Sequence, residues 1–127
     1  EPRAVLVISH GLAEHGGRYA ALAQRLVAHH YAVYALDHRG HGRSPGGRAN
    51  IERFAYVVSD LGTFVGRAQR QHPGRPAFLI GHSMGGAIAL GRALQFPDAI
   101  KGLALSAPAL SPGDSVSSLK TWLPKAR

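Results

Sequence analysis

Four short stretches of the chain are apolar at nearly every position, and three longer ones are apolar at every third or fourth. Ala4-Val5-Leu6-Val7-Ile8 is a continuous, β-branched run, the pattern of a strand buried on both faces. Ala32 to Leu36, Ala77-Phe78-Leu79-Ile80 and Ile100 to Leu105 (with Lys101 near its start) read as three further strands. Between the first two, Arg18 to His30 carries Leu22, Leu26 and Val27 on one face, which predicts a short amphipathic helix. Phe54, Val57, Val58, Leu61, Val65 and Ala68 recur at helical spacing and predict a helix over Ile51 to His72. Gly62 and Gly66 weaken it by about 1 kcal/mol each, which points to close packing against the sheet. Pro73-Gly74-Arg75-Pro76 breaks that helix, and a third runs through Ala87-Ile88-Ala89-Leu90 to Phe96, ended by Pro97-Asp98. Strand and helix alternate with short connections, so the fold class is α/β: a parallel sheet with helices on both faces. Residues 1–108 form one core, without repeat or linker. Pro108 to Asp114 then shifts to turn chemistry, and the spacing of Val116, Leu119, Trp122 and Leu123 predicts one apolar face of a short helix within a separate segment, 109–127.

Composition narrows the chemistry. A length of 127 residues suits one domain with a real core, and 45% hydrophobic with 17% charged residues is ordinary for a globular chain. The absence of cysteine excludes disulfides, thiolate metal sites and cysteine nucleophiles. Apolar runs of strand length do not make a transmembrane helix. The chain opens Glu1-Pro2-Arg3 with neither a start methionine nor a signal peptide, which leads one to expect a missing N-terminus and a cytoplasmic or membrane-peripheral location. Net charge is +8, but the arginines are dispersed from Arg3 to Arg127 and aromatic residues are few, so no nucleic-acid-binding stripe forms. Weak attraction to an anionic membrane surface is the one partner that the charge alone suggests.

In a parallel sheet, function gathers at the C-terminal ends of the strands. The three glycine-rich loops leave those ends: His10 to Gly17, Asp37 to Gly47, and Gly81-His82-Ser83-Met84-Gly85. The last is a G-x-S-x-G sequence between a strand and a helix, the pattern of a nucleophile elbow. Glycines two residues before and after the serine let the turn close sharply and lift the hydroxyl above the sheet. The alternative is a tight turn whose serine only caps the helix. If Ser83 is a nucleophile, Met84 N–H is one donor for the developing oxyanion, and Leu12 N–H, made approachable by His10-Gly11, is the other.

His10 to Tyr19, Asp37 to Ser44 and Gly81 to Gly86 resemble three blocks of the monoacylglycerol lipases, in the serine-hydrolase group of the α/β-hydrolase fold that also holds lysophospholipase-like esterases. The resemblance runs from Ala4 to about Pro108. It implies the N-terminal part of that fold, with Ser83 as nucleophile, Leu12 and Met84 as oxyanion amides, and no cofactor. It also implies that the first strand lies between the second and third, and that the segment after the fourth strand leads into a lipophilic cap able to touch a membrane surface.

One feature departs from the pattern. The triad order in this fold is serine, then acid, then histidine. All eight histidines precede Ser83, and only Asp98 and Asp114 follow it as acids, each in a turn setting. The expectation is therefore the N-terminal half of a catalytic domain. His82 and His10 can line the site, but both fit better as loop-shaping residues than as the base. The spacing of His10, Glu14 and His15 misses H-x-x-E-H, and with His38 and His41 in loops there is no metal site. Asp37 and Arg39 fit a bracing role in the second loop. The reading is a serine carboxylic-ester hydrolase acting on monoacylglycerol-type lipid esters through an acyl-enzyme, here as an inactive part. Its alternatives are another serine hydrolase of the fold (a peptidase, thioesterase or cofactor-free haloperoxidase) and a non-catalytic truncated chain.

Overall fold

The computed structural model describes residues 1–110, so the helix expected around Val116, Leu119, Trp122 and Leu123 lies outside the described residues. Four parallel strands form one sheet in the order β2-β1-β3-β4: β1 Val5–Ser9, β2 Ala32–Ala35, β3 Ala77–His82 and β4 Gly102–Ser106. β1 pairs Val5 with both Ala32 and Ala77, and every side chain of that strand is buried. This is the continuous apolar run expected of a central strand.

The crossovers dictate where the helices lie. The chain steps from β1 to β2, then back across β1 to β3 and on to β4. With right-handed connections, that reversal puts α1 (Ala20–Ala28) on one face, and α2 (Phe54–Gln71) and α3 (Met84–Gln95) on the other. α2 and α3 pack on each other and on β1 and β3. The core lies there, with Val57, Val58, Leu61 and Val65 of α2 against Val5, Val7, Leu79, Met84 and Ile88.

The helices depart from their expected bounds in informative ways. The first is preceded by a 3₁₀ turn, Gly16–Tyr19, and none of its own residues is fully buried. Leu22 and Val27 are 40% and 55% exposed, so the apolar face read from them is only half used. The second helix starts at Phe54 rather than Ile51, because Glu52 has φ 60°, a left-handed conformation that no α-helix continues through. Ile51 is instead a core residue from the loop. Gly62 faces α3, not the sheet: a Cβ there would lie 2.5 Å from the Arg92 guanidinium carbon. Gly66 has only ordinary contact, 3.5 Å from Arg70 Nη1.

Candidate active site

The reversal of strand order falls between β1 and β3, so the loops leaving these two strands meet above the sheet. β3 ends at His82, the chain turns at Ser83 with φ 53° and ψ −119°, and α3 begins at Met84. A Cβ on Gly81 would sit 2.6 Å from Gly85 O and from Gly86 Cα, so the turn closes this sharply only without one. Ser83 N–H donates to Ser106 O at 3.0 Å, and Ser83 O accepts from Gly86, Ala87 and Ala109. The strained residue is thus clamped by its own helix and by the chain leaving β4. Ser83 Oγ makes no capping bond, nor any other hydrogen bond among the described residues. Its backbone strain is not serving a helix cap.

The loop after β1 lies against this turn. A Cβ on Gly11 would be 3.4 Å from Ser83 Cβ. Glu14 holds the loop closed: its Oε1 accepts from Gly11 N–H at 2.6 Å and from the Tyr19 hydroxyl, and its Oε2 from Arg18 at 2.7 Å. Burial works to raise the Glu14 pKa, but these donors outweigh it and leave the carboxyl below its ordinary value. Burial, then the same carboxylate, pushes the Tyr19 hydroxyl up. The Leu12 side chain packs on the core, while the N–H groups of Leu12 and Met84 find no protein acceptor among the described residues. Two N–H groups without an acceptor, one on the loop packed against Ser83 and one on the residue that follows it, are donors of the kind that can stabilise an oxyanion.

Histidines lie beneath this surface rather than on it. His10 is fully buried; its Nδ1–H donates to Gly11 O at 2.7 Å, and its Nε2 accepts from His38 N–H at 3.0 Å. His38 Nε2 meets Ser9 Oγ at 3.0 Å, and His41 Nδ1 donates to Arg39 O at 2.9 Å. The rings of His10 and His38 are 4.4 Å apart. Burial lowers the pKa of His10 and pushes that of His38 down to about 3, so both are neutral. The His82 ring is bonded to Ser106, Nδ1 to Oγ 3.1 Å, beside a cavity of about 250 Å³ lined by Glu14, Arg18, Tyr19, Ile80 and Ser106.

In the second loop, Asp37 accepts from Gly16 N–H at 2.7 Å and Arg43 N–H at 3.0 Å. Arg39 clasps Asp60 of α2 bidentately, at 2.7 and 2.9 Å. Both residues brace the loop. The larger cavity of about 590 Å³ between this loop and α2 is lined by neither Gly81 to Gly85 nor His10 to Gly17.

A family model described as serine aminopeptidase, S33 (Hydrolase_4) matches residues 1–127. The chain belongs to that family. Within the serine aminopeptidase S33 family it is 46% identical over 117 residues to the monoacylglycerol lipase of Mycolicibacterium smegmatis, covering 92% of this chain and 42% of that protein. It is 41% identical over 125 residues to human monoglyceride lipase, covering 98% of this chain and 41% of that protein. Among solved structures, a soluble variant of the Saccharomyces cerevisiae monoglyceride lipase in complex with a substrate analog superposes with a TM-score of 0.80 at 29% identity, over 95% of this chain and 41% of that one. The Paleococcus ferrophilus monoacylglycerol lipase gives 0.77 at 34% identity, over 94% and 47%. The chain spans about two fifths of the length of the curated relatives it matches.

The sequence reading weighed Glu14 only as a metal ligand and missed its hold on the loop, and Ser9 and Ser106 escaped it altogether. Glu14 had a local signal: a carboxylate three residues after a loop glycine, the spacing at which a side chain reaches back to a backbone N–H. Ser9 and Ser106 had none, since their partners lie 29 and 24 residues away.

Proposed function

We propose that this chain carries the nucleophile and the oxyanion donors of a serine ester hydrolase, with monoacylglycerol-type lipid esters as substrate. The observation that carries the proposal is Ser83 itself, strained at φ 53°, with a hydroxyl that has no hydrogen bond among the described residues, near the unspent N–H groups of Leu12 and Met84. The names of the relatives support the substrate class. In this reading residues 1–108 are the core and 109–127 a separate segment after it.

In the reaction, Ser83 Oγ attacks the ester carbonyl carbon. The carbonyl oxygen becomes the oxyanion and takes the N–H groups of Leu12 and Met84, worth about 3 kcal/mol each to the transition state. The hydroxyl proton passes to a base and on to the departing alcohol, leaving an acyl-serine that water then cleaves to the free acid. In the family order that base follows the serine, and positions 84–127 hold no histidine.

The test is hydrolysis of monoolein by the protein as its reading frame encodes it, against Ser83→Ala. Release of oleate that the substitution abolishes is the expected result. Cleavage of thioesters or peptides in preference to monoolein would move the substrate class, and turnover indifferent to Ser83 would overturn the site.

A further inference from the structure

Resting on the proposed oxyanion role of Leu12, we infer that the His10 imidazole is a positioning residue that aims the Leu12 N–H, acting through the Gly11–Leu12 peptide plane. The carbonyl of Gly11 and the N–H of Leu12 belong to one amide. In a planar trans peptide these two groups point in opposite directions, and no described peptide bond is cis. Fixing the oxygen therefore fixes the hydrogen. His10 Nδ1–H holds Gly11 O at 2.7 Å, within the buried layer under the loop, so the N–H on the far side of that plane points away from this layer. A hydrogen bond to the carbonyl also polarises the amide and strengthens its N–H as a donor.

The neighbours of His10 enforce this state. Its Nε2 accepts from His38 N–H at 3.0 Å, so the proton must reside on Nδ1. The His38 ring is in turn fixed at Ser9 Oγ, 3.0 Å from Nε2. The preceding amide is held separately, its N–H on Glu14 Oε1 at 2.6 Å. Two successive peptides are thus each held by a side chain at a glycine, the residue whose flanking amides rotate most freely. Gly11 O also accepts from Glu14 N–H, at 3.4 Å, so without the shorter His10 bond this longer turn bond is all that holds the second amide among the described residues.

Two measurements test the assignment. In the protein as its reading frame encodes it, His10→Asn puts an amide N–H where Nδ1–H was, whereas His10→Leu fills the space with no donor. The expectation is that Leu lowers kcat about 10–100-fold with KM nearly unchanged, while Asn stays within about 3-fold of the parent. A residue that only fills the core would give the reverse, since Leu preserves more volume than Asn. Asn falling as far as Leu, or Leu leaving kcat intact, overturns the inference while the hydrolase reading survives. Failure of the parent protein to hydrolyse monoolein sinks that reading, and the inference with it. Independently of turnover, the ¹⁵N shifts of His10 in the 127-residue chain should show a neutral ring protonated at Nδ1 at neutral pH. Protonation at Nε2 would overturn the inference.

Discussion

Gly85, on the first turn of α3, lies directly on the carbonyl oxygen of Ser9 at the end of β1: a Cβ at position 85 would sit 2.0 Å from it. Ser9 ends β1 and Gly85 follows β3 across the turn at Ser83, and the sheet order reverses between those two strands. Their approach brings the loop after β1 against the elbow, and it exists only because one partner has no side chain.

Gly85→Ala should therefore damage far more than a helix substitution usually does. The obstructing atoms are backbone (Ser9 O at 2.0 Å and His10 O at 2.3 Å) and cannot swing away. Alanine has the better helix propensity, yet the clash should destabilise by about 3 kcal/mol or more. Gly66→Ala provides the contrast, meeting only the end of the Arg70 side chain at 3.5 Å. It should stabilise by about 0.5–1 kcal/mol. Urea melts of the two variants check the pair, and similar outcomes at both positions would remove the packing argument.

Acid should weaken the fold in two steps. Burial holds the pKa of His10 below the ordinary value of 6.5 and drives that of His38 to about 3. Well above pH 6.5 these rings are neutral whether folded or not, and stability does not change. As pH falls from there towards 3, the unfolded chain takes up protons that the fold refuses, so stability drops. Asp37 adds a second loss at lower pH. Burial opposes its ionisation, but the N–H groups of Arg43 and Gly16 hold its pKa below 3.8, so its contribution disappears as pH falls through that lowered value. His38→Gln, which keeps a donor towards Ser9 Oγ, should flatten the first step and leave the second. Denaturation midpoints at about pH 7.5, 5.5 and 3.5 would reveal this; no loss between the first two would argue against neutral buried rings.

Ser83 offers a separation of stability from chemistry. Its φ of 53° with ψ −119° disfavours a side chain, and its hydroxyl makes no bond among the described residues that would be lost. Ser83→Gly should raise stability by about 1–2 kcal/mol while removing the nucleophile. Thermal melts decide it. A less stable glycine variant would mean that the serine side chain has a structural role not evident in its contacts.

How far the sequence foretold this structure depends on the range of each interaction. β1 was legible because a central strand is buried on both faces and so lacks polar positions. The elbow was legible because Gly81 and Gly85 meet within five residues. The strand order followed from resemblance to a family, since periodicity does not say which strands pair. Partners distant in sequence stayed hidden: Gly62 against Arg92, Ser9 against His38 and Ser83 N–H on Ser106 O. Periodicity reports which face of a helix is apolar but not how much of it is covered, hence the half-used face of α1. Nor does it register a single left-handed residue, and Glu52 at φ 60° moved the start of α2.

The last prediction is that the 127 residues alone give no Ser83-dependent ester turnover. A serine hydroxyl must shed its proton as it attacks, and at neutral pH it needs an adjacent base to do so. None of the histidines of this chain is hydrogen-bonded to Ser83 among the described residues. His10 has both ring nitrogens engaged, with Gly11 O and His38 N–H. His38, His72 and His82 are bonded to Ser9, Tyr34 and Ser106, and His41 to Arg39 O. His15, His29 and His30 lie exposed on the surface. What would remain is the oxyanion pair, and in serine hydrolases stripped of their triad such residues leave only about 10³–10⁴-fold over water. A nitrophenyl ester assay of the 127-residue chain against its Ser83→Ala variant should find no difference between them. A clear difference would show that one of these histidines reaches the serine after all, with His82 the first to test because it is the adjacent residue.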